Sequence, residues 1–153
     1  MKITEIMSVG LQTIRPGTPA ANARERMRAK KIHHLLVMEG DALVGVLSAR
    51  DVARSGRRGG GAAEKRLVAD FMTPKVVTVD PETSVHRAAN LMRGHSVGCV
   101  VVLEDGRPVG IVTLADLLDQ VGGKRRHKVD KQTPPSLHYR VPHKKQHRTG
   151  GSW

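Results

Sequence analysis

The chain repeats itself. Residues 1–55 and 66–120 align at a constant offset of 65 without a gap, and 12 of the 55 positions are identical. Met7 returns as Met72, Pro16 as Pro81, Thr18 as Thr83, Ala23 as Ala88, Met27 as Met92, Val37 as Val102, Gly45 as Gly110 and Asp51 as Asp116. Most other positions exchange like for like, as in Ile14/Val79, Leu35/Val100 and Ser48/Thr113. Each copy of a repeat is one supersecondary unit that buries its apolar face against a neighbour. A lone core in a half of about 55 residues is marginal, so the two copies are expected to share one. A site built on one copy is then expected to have a counterpart on the other.

Within each copy the periodicity alternates. Val9 to Ile14 and Val76 to Val79 read as short strands that stop at Pro16 and Pro81. Ala20, Ala23 and Met27, and then Val85, Ala88 and Met92, fall on one face of a helix. Thr18 before Pro19 predicts a hydroxyl cap followed by Pro at the first helical position. Short apolar strands come next, Leu35 to Met38 and Val100 to Leu103. Each meets a Gly/Asp turn and returns as Leu43 to Leu47 or Val109 to Val112. S-A-R-D and T-L-A-D then open a second helix. Each copy reads strand, helix, strand, strand, helix. Runs buried on both faces with helices between them indicate an α/β (α+β) layer. The chain divides into residues 1–56, a Gly-rich connector over 57–65, a second unit over 66–121 and a basic tail over 122–153.

Charge is uneven. Residues 1–121 hold 17 Lys/Arg and 13 Asp/Glu, whereas residues 122–153 hold nine Lys/Arg and one acid, Asp130. The basicity is thus chiefly a tail property, and the tail has too little apolar content to order in isolation. It reads either as a solvated extension or as a nucleic-acid or acidic-surface contact. Apart from Tyr139 and Trp153 it lacks aromatics for base stacking. The single cysteine, Cys99, excludes an internal disulfide and fits a reducing cytoplasm. No signal peptide and no membrane span are expected. His33 and His34, adjacent on a strand, point to opposite faces and do not make a metal pair. No nucleophile–base constellation is visible, so catalysis is not expected.

The motif shared by the copies is Gly, two apolars, a hydroxyl residue, any two, then Asp: Gly45 to Asp51 and Gly110 to Asp116. One reading is a capping box, with Ser48 or Thr113 at the helix start and the acid in the first turn. The other is a ligand site. A helix N-terminus offers free N–H groups to phosphate, and an Asp one turn in accepts from ribose hydroxyls. The two readings are compatible.

These residues, with M-x8-P, the helix Ala and Met and the L-L-V/V-V-V strands, resemble a pair of CBS domains over residues 1 to about 121. The resemblance implies two pseudo-symmetric units whose sheets face each other, with up to two clefts for AMP, ADP, ATP or S-adenosylmethionine. It implies that Asp51 and Asp116 hold ribose and that Ser48 and Thr113 lie near phosphate. It also implies that Thr13, Ile14, His33, His34, Thr78, Val79, Gly98 and Cys99 line the clefts. Arg50, replaced by Ala115 in the second copy, predicts a first site with the greater taste for phosphate. The function implied is a cytoplasmic, energy-sensing regulatory module, a homodimer through leftover apolar helix faces, that passes nucleotide occupancy to an effector protein. The alternative is a ligand-free dimerisation scaffold whose tail binds nucleic acid or an acidic partner.

Overall fold

The structure, a computed structural model, describes residues 1–55 and 65–122. Residues 56–64 and 123–153, which hold most of the expected connector and tail, lie outside the described residues. The elements run β1 (Thr13–Ile14), α1 (Ala20–Lys30), β2 (His34–Glu39), β3 (Ala42–Ser48), α2 (Ala49–Ser55), β4 (Thr78–Val79), α3 (Val85–His95), β5 (Cys99–Glu104), β6 (Arg107–Thr113) and α4 (Leu114–Gly122). The expected order of strand, helix, strand, strand, helix is present twice. Each copy forms one three-stranded sheet, β1-β2-β3 or β4-β5-β6. In each, the first pairing is parallel and the second antiparallel.

The apolar runs are explained by their two faces. Along β2, Leu35 and Val37 enter a core with Ala23, Met27, Leu47 and Val52. Leu36, pointing the other way, meets Val46, Val101 and Ile111 between the sheets. The second copy follows suit, with Val100 and Val102 packed on Ala88, Met92 and Val112. A strand buried on both faces reads as a continuous apolar run, and each large side chain sealed there contributes about 1.5–3 kcal/mol. The hairpins close through two-residue loops between Glu39 and Ala42 and between Glu104 and Arg107. Gly40 at φ +60° serves one loop, and Asp105 at +49° with Gly106 at +75° the other. These are the positive-φ turns that match strand twist.

The copies also exchange their leading segments. Short 3-10 turns at Ile3–Glu5 and Val68–Asp70 precede each unit. Ile3 is buried in the core of the second copy and Val68 in that of the first. Ile3 N–H donates to Thr83 O at 2.8 Å, and Val68 N–H to Thr18 O at 2.8 Å. Ser8 bridges Ile111 on β6, and Thr73 bridges Val46 on β3. A Cβ on Gly45 would lie 2.7 Å from Met72 Sδ, and one on Gly110 would run into Met7 in the same way. The recurrent glycines admit a methionine from the other copy.

Two local expectations are corrected. The strands expected over Val9 to Ile14 and Val76 to Val79 shrink to Thr13–Ile14 and Thr78–Val79. In the first copy Ser8 is drawn onto the other copy's sheet, Gly10 turns at φ +75°, and Val9 stays exposed. Thr18 does not cap α1: Pro19 occupies the cap position with no side-chain bond. The hydroxyl cap sits instead at its counterpart in the second copy, Ser84, whose Oγ accepts from Arg87 N–H at 3.2 Å.

Candidate functional site

The site begins where β3 hands over to α2 and β6 to α4. Ser48 N–H and Oγ–H donate to Asp51 Oδ2 at 3.1 and 2.7 Å, and Asp51 N–H donates back to Ser48 Oγ at 3.1 Å. Thr113 N–H and Oγ1–H reach Asp116 Oδ2, each at 2.7 Å, and Asp116 N–H returns to Thr113 Oγ1 at 3.4 Å. Both motifs are complete capping boxes, so the bland reading of the sequence is realised twice. Among the bonds of the described residues, each carboxylate enters its box through Oδ2. A second oxygen with its own lone pairs is left to accept from a ligand. Capping thereby fixes the carboxylate in place.

The preceding strand residues brace these turns. His33 O accepts from Ala49 N–H at 2.8 Å, and Gly98 O accepts from Leu114 N–H at 2.9 Å. Register places His34 opposite Ser48 and Cys99 opposite Thr113.

Both boxes open on one continuous cleft of about 850 Å³ between the sheets. Of the residues singled out in the sequence, Ser48, Arg50, Asp51, His33, His34, Gly98, Cys99, Thr113 and Asp116 line it. Thr13, Ile14, Thr78 and Val79 do not. Ile14 and Val79 are buried in the two helix-backed cores, and Thr13 and Thr78 are exposed beside them. The wall is built slightly earlier in each copy, by Gly10, Leu11 and Gln12 and by Lys75, Val76 and Val77. Sequence reasoning overlooked these because it ran the strands through them. The turn at Gly10 was the available signal.

The cleft is lopsided in charge. Arg50 and Lys75 line it, and their counterparts in the repeat are Ala115 and Gly10. Burial pushes the His34 imidazole below its ordinary value of 6.5. His33 and, more weakly, Arg50 act the same way, while Asp51 and Asp116 pull it back up. At the equivalent position burial, followed by the charge of Asp51, pushes the Cys99 thiol up to about 11. That cysteine is half-buried and its thiol stays protonated at neutral pH. Among the described residues no group of His, Cys, Asp or Glu is arranged to hold a metal ion, and no helix is long and apolar enough to cross a membrane.

Known proteins share this fold. The CBS domain family model matches residues 3–57 and 68–123. The mitochondrial CBS domain-containing protein CBSX3 of Arabidopsis thaliana is 32% identical over 95 residues, covering 61% of this chain and 46% of that protein. The chain spans less than half the length of most of the curated relatives it matches. Among solved structures, the CBS domain pair of protein MJ0100, in complex with 5′-methylthioadenosine and S-adenosyl-L-methionine, matches with a TM-score of 0.72 at 26% identity, covering 82% of this chain and 98% of that one. CBSX2 in complex with AMP matches with a TM-score of 0.65 at 25% identity, over 82% and 98%.

Proposed function

This chain belongs to the CBS domain family, and on that premise we propose that it is a regulatory module that binds an adenosine ligand between its two copies. One observation carries the reading: two pre-set Ser/Thr–Asp boxes, related by the repeat, open on a single cleft of about 850 Å³. Asp51 and Asp116 accept the ribose hydroxyls. Ser48 and Thr113, at the starts of α2 and α4, lie near the phosphates, where helix N-termini favour anions. Arg50 and Lys75 give the cleft its affinity for phosphate, biased toward the first motif. The base rests on aliphatic groups such as Leu11, Val76 and Ile111. The MJ0100 pair with S-adenosyl-L-methionine and CBSX2 with AMP support this ligand class.

The activity is regulation rather than catalysis. The hydroxyls of Ser48 and Thr113 each both donate and accept within a capping box, which leaves neither poised as a nucleophile. A ligand touching both sheets shifts the pair between shapes by as much as its affinities for them differ. The chain works as a homodimer in the cytoplasm, and an effector protein reads the shape.

A thermal-shift screen of the protein against AMP, ADP, ATP, S-adenosylmethionine, NAD and GTP tests this, with Asp51→Ala and Asp116→Ala alongside. A ligand specific to the native state raises the melting point by mass action. The expected result is a rise with an adenosine compound that is lost in one or both variants. A folded protein that responds to no nucleotide overturns the reading in favour of a ligand-free scaffold.

A further inference from the structure

The repeat sets one ionisable group of the cleft apart. His34 opens β2, and its counterpart at the start of β5 is Cys99. Both are half-buried and both line the cleft. Register sets His34 opposite Ser48, the hydroxyl residue of the first box. Residues paired across an antiparallel ladder have Cα atoms about 4.5–5.5 Å apart. An imidazole therefore stands one strand away from the start of α2, where the phosphate of a ligand is expected. Among the described residues no hydrogen bond or ion pair engages its ring.

Charges face this ring from three elements. His33 is its neighbour on β2, Arg50 and Asp51 come from α2, and Asp116 comes from α4. Lys75 and Cys99 line the same cleft. Burial, aided by His33 and Arg50, outweighs the pull of the two carboxylates, so the ring titrates below its ordinary 6.5 and is neutral at pH 7. A bound charge shifts that balance in a known direction. A phosphate beside the ring favours imidazolium, whereas a sulfonium cation opposes it. Histidine is the side chain whose charge changes between about pH 5 and 8. Cys99 cannot take this part, because its thiol, raised to about 11, stays neutral over that range.

We propose that His34 selects among adenosine ligands by their charge: a phosphate-bearing ligand enters the cleft together with a proton on this ring, and a sulfonium-bearing one enters with the ring neutral. This rests on the adenosine reading above and names the residue that sets its preference. Acidification then tilts the cleft from S-adenosylmethionine toward AMP, so occupancy follows pH as well as ligand supply. Arg50 and Lys75 attract phosphate across the whole range, and His34 makes part of that attraction conditional. His33 is the other imidazole at the cleft, but it is exposed and lies outside the register with Ser48.

Calorimetric titration of the full chain with AMP, S-adenosylmethionine and adenosine, from about pH 7.5 to 5.5, tests this with His34→Gln, His34→Cys and His33→Gln alongside. His34→Cys installs the residue that the second copy carries at the same strand position. One linked proton changes affinity by at most about tenfold per pH unit. Across the range the wild type is expected to gain about three- to tenfold in AMP affinity relative to both His34 variants. That comparison cancels the titration of the ligand's own phosphate, whose second pKa is about 6. S-adenosylmethionine is expected to show the reverse slope, and adenosine no difference between the wild type and the variants. In buffers of different ionisation heat, AMP is expected to carry more protons into the wild type than into either His34 variant. An AMP slope that persists in both His34 variants, or one that His33→Gln removes, overturns the role of His34 and leaves the adenosine reading standing. A folded chain that binds none of the three ligands overturns both.

Discussion

The first copy surrounds its half of the cleft with Arg50, His33 and His34, where the second has Ala115, Gly98 and Cys99. Beneath this difference the two copies share one element order, one strand register, a bulge at the same place and the same capping box. Positions that face a core, or the other copy's leading segment, keep their residue type. Around the retained Ser/Thr–Asp boxes, cleft positions such as Arg50, His33 and His34 have diverged. The fold is thus a symmetric frame that holds two unlike sites, and variants in matched pairs show how far the symmetry extends.

The largest effect is expected where symmetry is strictest. Gly45→Ala and Gly110→Ala place a methyl group against the methionine inserted from the other copy, and each should destabilise the fold by about 1–3 kcal/mol through overpacking. Denaturant unfolding of double variants tests the exchange of segments. The cost of Gly45→Ala should shrink in a Met72→Ala background and stay unchanged in a Met7→Ala background. Gly110→Ala should show the opposite dependence. Equal coupling to both methionines would contradict the cross-copy packing.

Next comes the motif itself. Removing the capping carboxylate in Asp51→Ala or Asp116→Ala should cost about 0.5–2 kcal/mol of stability in either copy. The ligand responses should differ. The protein left with the Ser48/Asp51 site should prefer ATP over adenosine more strongly than the one left with the Thr113/Asp116 site. Exchanging the neighbouring residue sharpens this: Arg50→Ala should weaken ATP binding about ten- to a hundred-fold without touching adenosine, in keeping with about 1.5–3 kcal/mol for hydrogen bonds to charged groups. Calorimetric titration of the two ligands reads both numbers. An unchanged ATP-to-adenosine ratio would sink the charge asymmetry.

Much of this frame was legible beforehand, for a physical reason. A repeat at fixed offset reports every position twice, so the apolar stripe of Ala20, Ala23 and Met27 and the runs at Leu35 and Val100 needed no other support. The boxes at Ser48 and Thr113 were equally plain, because capping is a local interaction over three residues. The long-range contacts were not readable. Met7 and Gly110 recur in the sequence as Met72 and Gly45, yet nothing local says that each methionine packs on the other copy's glycine. The cleft wall at Gly10 to Gln12 and Lys75 to Val77 was missed for the same reason: Ser8 and Thr73 are held by strands far along the chain. The helix ends carried no sequence signal, since Lys31 and Ser96 both adopt φ +54° at the C-caps of α1 and α3, where glycine is the usual residue.

A smaller difference lies at the helix starts. Ser84 caps α3, whereas its counterpart Pro19 leaves α1 without a side-chain cap. Ser84→Ala should cost about 1 kcal/mol. Pro19→Ser, at φ −58° and ψ 136°, offers the backbone a hydroxyl in a conformation close to that of Ser84 and should recover part of that amount. Thermal unfolding of the pair decides whether the cap is transferable between the copies.

The smallest effect separates His34 from Cys99. His34 is held below its ordinary value of 6.5 chiefly by burial. An unfolded chain therefore takes up a proton at this residue before the folded chain does. By linkage, stability is complete above pH 6.5 and declines as the pH falls toward the folded value. Cys99, raised to about 11, stays neutral throughout that range. His34→Cys makes the first copy resemble the second and should flatten part of the acid slope seen in melting temperatures between about pH 7.5 and 5.5. The difference between the two curves is the quantity to read. An anionic ligand in the cleft should shrink that difference, because negative charge beside the imidazole favours its protonated form and offsets burial.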